Sequence, residues 1–191
     1  MSRLLIATNN QGKVKEIKAI LGGFYDEIVS LKDAGIQLEV VEDGDTFEAN
    51  AVKKAREAAQ VAGCDALADD SGLCVDALDG APGIYSARYA GEDASDEKNN
   101  EKLLASLKGV PDRSARFVSV VALVSGDKVT TARGEVRGVI AHKPSGNGGF
   151  GYDPLFFVPK LGQTFAEIPP EIKNSLSHRA RALEALKQKL G

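Results

Sequence analysis

A chain of 191 residues with 43% hydrophobic content is long enough for one substantial core and is ordinary for a globular protein. Its formal net charge of -3, without any basic run, gives no electrostatic case for nucleic acid or an anionic membrane as partner. No apolar stretch reaches the roughly 18 residues of a membrane span, MSRLLIA is too short for a signal peptide, and Cys64 and Cys74 lack zinc spacing. A cytoplasmic location with reduced thiols is the expectation.

RLLIAT, Arg3 to Thr8, reads as a buried strand. QGKVKEIKAIL then carries Val14, Ile17, Ile20 and Leu21 at helical spacing, and Gly22 and Gly23 end it. EIVSL is a second short strand. Asp45 is the candidate cap of an alanine-rich helix from Thr46 to Ala62, stopped by Gly63. ALADD reads as a third strand ending at a turn, before the Gly/Pro-rich GLCVDALDGAPGIYSARYAG. Ser95 caps a helix to about Leu107, with Asp96 and Glu97 favourable in its first turn. RFVSVVALV and KVTTARGEVRGVIA flank the turn SGDK and read as a long hairpin. PLFFVP is a short strand between prolines. SHRARALEALKQKL is an amphipathic helix with Leu183, Leu186 and Leu190 on its apolar stripe. The alternation predicts a single α/β domain over 1–191 with a mixed, extended sheet.

SGNGGFGYDPLF contains a literal G-x-G-x-x-G from Gly146 to Gly151. A dinucleotide fingerprint needs a helix opening at its last glycine, so that the helix N-terminus faces the phosphates. Here Gly151 runs into Tyr-Asp-Pro and an apolar strand, so the dinucleotide reading fails. A plain flexible connection is the bland alternative. The loop nonetheless offers bare backbone, the Phe150 ring for a planar base, and the Asp153 carboxylate.

The better phosphate site is IATNNQGKVKE, where a strand ends at Thr8 and a helix begins near Gly12. Helix-start N–H groups with Thr8, Asn10 and Lys13 suit an anion, although strand-loop-helix turns with a surface Lys are common and the Walker spacing is absent. Asp69 and Asp70 in ADDSG point to opposite faces, so one can face a site while the other bonds backbone or an Arg. Glu42, Asp43, Asp45 and Glu48 read mostly as helix capping and solvated charge. Oxygen ligands without a His/Cys cluster suit Mg²⁺. Asn50 and Lys53 lie three apart on one helix face and can address one ligand. Lys173, His178 and Arg179 surround the start of the last helix, where capping, packing or a surface ion pair serve as well as a ligand role.

ATNNQGKVKE, DTFEANAVKKA, ALADDSGLCVDALDGAPGIYSARYAG, GNGGFGYDPLF and KNSLSHRARAL, running in order from residue 7 to 183, together resemble the inosine triphosphate pyrophosphatase family of non-canonical purine nucleotide hydrolases. One departure is Asn9, where that family usually has Gly; Asn tolerates left-handed backbone better than most residues. The resemblance implies an elongated mixed β-sheet with flanking helices and two lobes enclosing a central nucleotide cleft, in a homodimeric, Mg²⁺-dependent enzyme. It implies conversion of ITP, dITP and XTP to the monophosphate and pyrophosphate. By position, Thr8, Asn9, Asn10, Gln11, Gly12 and Lys13 would bind phosphate. Asp70 would be the general base and a metal ligand, Glu42 the second metal carboxylate, and Ser71 a substrate contact. Asn50 and Lys53 would lie near the triphosphate. Phe150, Gly151, Tyr152, Asp153, Lys173, His178 and Arg179 would complete the nucleotide site, with Arg179 and His178 as donors to a purine 6-carbonyl. A catalytically silent nucleotide sensor and a pyrophosphatase of pyrimidine or modified nucleotides are the alternatives.

Overall fold

The computed structural model describes residues 2–191. Strand β1, Arg3–Ile6, is buried at Leu4, Leu5 and Ile6, the continuous apolar run that a strand covered on both faces requires. It pairs in parallel with β2 (Glu27–Ser30) and β3 (Asp65–Val75), placing Leu5 opposite Val29 and Ala66. Strands β4 (Ser114–Ser125), β5 (Lys128–Ile140), β6 (Phe156–Val158) and β7 (Gln163–Thr164) complete a seven-stranded sheet of order β2-β1-β3-β4-β5-β6-β7. The β5–β6 and β6–β7 pairs are antiparallel, so the sheet is mixed, as expected. The helices are α1 (Gln11–Leu21), α2 (Phe47–Ala62), α3 (Asp96–Ser106), α4 (Pro170–Leu176) and α5 (His178–Leu190). Among the described residues no helix is long and apolar enough to cross a membrane.

Four local expectations change. Thr46, not Asp45, caps α2: its backbone is extended and its Oγ1 accepts from Ala49 N at 3.0 Å. Strand β3 does not turn at Asp69 and Asp70 but continues to Val75, burying Leu73 and Val75. Consecutive aspartates read as a strand end when no partner is visible, and here buried cations supply the partners. Residues 153–155 form a 3-10 turn, which leaves β6 only Phe156–Val158 of PLFFVP. Helix α4 and strand β7 had no strong periodic signal. Leu183 and Leu186 are buried as predicted, while Leu190 is only partly covered at the chain end.

The chain divides into two compact units. One comprises the chain up to Asp70 with Ser119–Gly134 and His178–Gly191; the other comprises Ser71–Val118 and Glu135–Ser177. The second unit has an aromatic core in which the Phe156 ring lies 4.4 Å from Phe117 and 4.9 Å from Phe165, centroid to centroid. Arg113 spans that unit's edge, donating from Nε, Nη1 and Nη2 to the carbonyls of Ile140, Leu107 and Ala141 at 2.8, 2.9 and 3.0 Å.

The first unit packs Leu4 and Ile6 of β1 and Leu67 of β3 with Val14 and Ile17 of α1 and Leu183 and Leu186 of α5. How closely α5 approaches β5 is set at Gly134. A Cβ there would lie 2.2 Å from the His178 carbonyl oxygen and 2.4 Å from the Ala182 nitrogen. Both are backbone atoms, which cannot swing aside. Gly134→Ala is therefore expected to destabilise by about 3 kcal/mol, the upper part of the range for overpacking. Urea unfolding reads this as a lower midpoint with unchanged slope; a wild-type midpoint would show that the close approach is no constraint.

Candidate active site

In the first unit the chain leaves β1 and enters α1 through residues 7–10. Thr8 Oγ1 accepts from Asn10 N at 3.1 Å, and Asn10 Oδ1 caps the helix by accepting from Lys13 N at 3.1 Å. Asn9 Nδ2 donates over a long 3.4 Å to the Leu38 carbonyl. Side chains thus hold the loop, and Gln11 and Gly12 open α1 with their N–H groups at a helix N-terminus. Thr8, Asn9, Asn10, Lys13, Glu42 and Lys54 share a cavity of about 380 Å³.

Asp69 and Asp70 are consecutive on β3, so their side chains leave on opposite faces, and both are buried. Asp69 Oδ2 accepts from Arg179 Nε at 3.1 Å and from Ser119 Oγ at 3.4 Å, while Oδ1 lies 3.1 Å from Lys13 Nζ. Arg179 Nη1 also pairs with Glu16. Burial works against ionisation of Asp69, but Lys13, Arg179 and Lys54 overcome it and hold the carboxyl far below its usual range. The predicted meeting of one aspartate with an Arg occurs here.

Asp70 has the opposite surroundings. Its Oδ2 is buried without a hydrogen-bond partner, and its Oδ1 lies 3.6 Å from Lys54 Nζ. Burial raises its pKa, Glu42 and Asp69 add to the rise, and Lys54 and Lys13 oppose it. One strand therefore presents a neutralised carboxylate and, next to it, a carboxylate with raised proton affinity.

Lys54 is the residue that sequence reasoning missed. Its ammonium lies 2.6 Å from the Asp69 carbonyl oxygen, 2.9 Å from Glu42 Oε1 and 3.6 Å from Asp70 Oδ1. Burial would discharge it, but Asp69, Asp70 and Glu42 prevail and raise its pKa. Lys53, singled out from its spacing to Asn50, instead donates to Val41 O at 2.7 Å and Asp43 Oδ1 at 2.9 Å on the exposed side. Asn50 is fully buried and its Oδ1 accepts from Gly44 N at 2.8 Å, bracing the same loop. The available signal was position: Lys54 falls between Ala51 and Ala58 on the helix's buried stripe, where a charge demands a partner.

In the second unit, Gly146, Gly149 and Gly151 take φ of +93°, +68° and +61°. A Cβ on Gly149 would meet Asp153 Oδ2 at 2.1 Å. Buried Asp153 accepts through Oδ2 from Lys173 Nζ at 2.6 Å and from Phe150 N at 3.1 Å. Lys173 Nζ lies 4.9 Å from the Phe150 ring centroid, so Phe150, Asp153 and Lys173 form one cluster. Tyr152 is a core residue, its hydroxyl donating to Ser86 O at 2.6 Å, and burial pushes its phenol pKa up. Ser71 is half-buried on β3. The element that follows Gly151 directly is the 3-10 turn Asp153–Leu155 and then β6, not an α-helix, in keeping with rejection of the dinucleotide reading.

His178 opens α5 and is buried, as is Arg179. The guanidinium expected to address a purine is committed to Asp69 and Glu16, and addressing a base would require releasing them. Arg179→Ala leaves both carboxylates without that cation and is expected to cost about 3–5 kcal/mol, the scale for breaking a buried pair from one side. Thermal unfolding without nucleotide measures it; an unshifted midpoint would remove the clamp from the structural account.

The sequence pattern of the Ham1 family matches residues 4–189. A dITP/XTP pyrophosphatase of Geobacter sulfurreducens is 58% identical, with the match covering 100% of this chain and 98% of that protein. One of Clostridium perfringens is 53% identical, again covering 100% and 98%. The solved structure of the Staphylococcus aureus Ham1 protein superposes with a TM-score of 0.86 at 44% identity, covering 99% of this chain and 98% of that one. Sequence and fold agree over essentially the whole length: the chain belongs to the Ham1 family.

Proposed function

We propose that this protein is a metal-dependent nucleoside triphosphate pyrophosphohydrolase that converts dITP, XTP and ITP to the monophosphate and pyrophosphate. The observation that carries the reading is Asp70, a buried carboxylate of raised proton affinity with one bare oxygen, close to Lys54 and Glu42 of the cavity that Lys13 and the helix-start loop also line. The names of the relatives support the substrate class.

The reaction displaces pyrophosphate from the α-phosphorus by water. The Asp70 carboxylate takes the water's proton as the new P–O bond forms and the bond to the α–β bridging oxygen breaks. A carboxylate with raised pKa is a stronger base than an ordinary aspartate. The N–H groups opening α1, with Lys13, receive phosphate oxygens. Lys54 holds Glu42 and Asp70 near one another against their repulsion.

The donor set fits a hard divalent cation. Asp70 offers a bare buried oxygen, and Glu42 meets the same Lys54 ammonium. No group of three or more His, Cys, Asp or Glu able to hold a metal occurs among the described residues. One or two carboxylates completed by substrate phosphate and water is the usual way Mg²⁺ is held. Asp70 and Glu42 would hold it, and when bound it would neutralise charge on the phosphate oxygens.

Phe150 offers a ring face to the purine, with Lys173 and Asp153 fixing it. Selection of a 6-carbonyl over the adenine amino group needs hydrogen-bond donors; His178 and backbone N–H groups are the proposed ones, with Arg179 joining only if it leaves Asp69 and Glu16.

A nucleotide panel with pyrophosphate detection tests the function: release from dITP, XTP and ITP is expected with Mg²⁺, abolished by chelator, and far slower from ATP. Equal rates across the panel, or activity that survives chelation, would refute it. Asp70→Asn is expected to fold normally and lose about 10²–10⁴ in kcat, the scale of a lost general base. Near-normal turnover would remove Asp70 from the role.

A further inference from the structure

Helix α3 lies outside the residues assigned above, yet it holds the glycine loop at one point from two sides. Asp96 and Asn100 stand four apart and therefore project from the same face of the helix. Asp96 Oδ2 accepts from Gly151 N at 2.9 Å, and Asn100 Nδ2 donates to Gly151 O at 3.1 Å. Both backbone polar groups of one residue are thus taken by one helix. The helix itself is anchored: Ser95 Oγ caps it through Lys98 N at 3.1 Å, and Asn99, on an adjacent face, accepts from Ala90 N at 2.8 Å and donates to Ala87 O at 3.1 Å.

We infer that Asp96 and Asn100 are positioning residues for nucleotide binding, acting through Gly151 on the Phe150 ring. The inference deepens the proposed function and rests on Phe150 meeting the base. Gly151 sits at φ +61° with no Cβ, so no side chain of its own fixes it. The amide that donates to Asp96 belongs to the peptide plane carrying the Phe150 carbonyl, and that carbonyl accepts from Asp153 N at 3.2 Å. On its other side Phe150 N is bonded to Asp153 Oδ2. The Phe150 backbone is thereby held at both ends, by Asp153 and by α3, with the ring near Lys173. Removing the α3 contacts lets the plane between residues 150 and 151 rotate, and the ring must then be ordered when the nucleotide binds. Ordering at that moment weakens binding while leaving the reacting groups of the first unit unchanged. Helix capping alone does not explain the pair: Ser95 already caps α3, and Asn100 lies a full turn inside it.

Steady-state kinetics with dITP and Mg²⁺ on the full chain test this, alongside amide exchange at Phe150 and Gly151 without nucleotide. The double variant Asp96→Ala/Asn100→Ala is expected to raise KM about tenfold with kcat within about twofold, the pattern of lost binding, and to speed exchange at Gly151. Asp96→Asn keeps an acceptor for Gly151 N–H and is expected to restore KM, whereas Asn100→Asp, which loses the donor, is not. An unchanged KM in the double variant, a fall in kcat at constant KM, or Asp96→Asn behaving as Asp96→Ala would each overturn the inference. A wild-type protein inactive toward every nucleotide would strike the proposed function itself, before any variant is compared, and this inference would fall with it.

Discussion

The charge of Asp69 organises the first unit. Its carboxylate is buried in β3 and survives as an anion only because Lys13 from α1 and Arg179 from α5 reach it, with Ser119 of β4 adding a weaker bond. An unpaired carboxylate there would cost several kcal/mol or would protonate. Arg179 in turn draws in Glu16 of α1, so two helices and two strands are tied to one buried anion. Packing of Ile17, Leu67 and Leu183 supplies the apolar background, and the charges select which faces of α1 and α5 turn inward.

That arrangement explains why Asp70 is available for chemistry. Lys13 and Arg179 are spent mainly on Asp69, which leaves Asp70 with a more distant Lys54 and with Glu42 pushing its proton affinity up. A single residue step along a strand separates a structural carboxylate from a reactive one, because successive side chains meet different environments. In the second unit the same economy appears at the glycine loop. Asp153 is spent on Lys173 and the Phe150 amide, and the absence of a side chain at Gly149 is what lets the Asp153 carboxylate approach the loop.

Helix α2 shows where spacing alone stops short. Spacing placed Lys53 beside Asn50, but a four-residue separation satisfies the helical face as well as a three-residue one. Only the direction of burial distinguishes them, and it turns Lys54 toward Glu42, Asp69 and Asp70 while Lys53 faces solvent. Similarly, ADDSG carries turn-like residues, and nothing local reveals the cations that allow β3 to run on through it.

Features set by near neighbours were determined by the sequence alone. These include the Ser95 helix start, the apolar run of β1, the mixed α/β character, and a glycine loop unable to serve as a dinucleotide turn, since caps and periodicities act over a few residues. The tertiary structure decided which charge each buried carboxylate meets. Asp69 and Arg179 are 110 residues apart, and Asp96 and Gly151 are 55 apart. Pairings at such separations exist only once the chain is packed, because burial is what makes an unpaired charge or amide costly enough to select its partner.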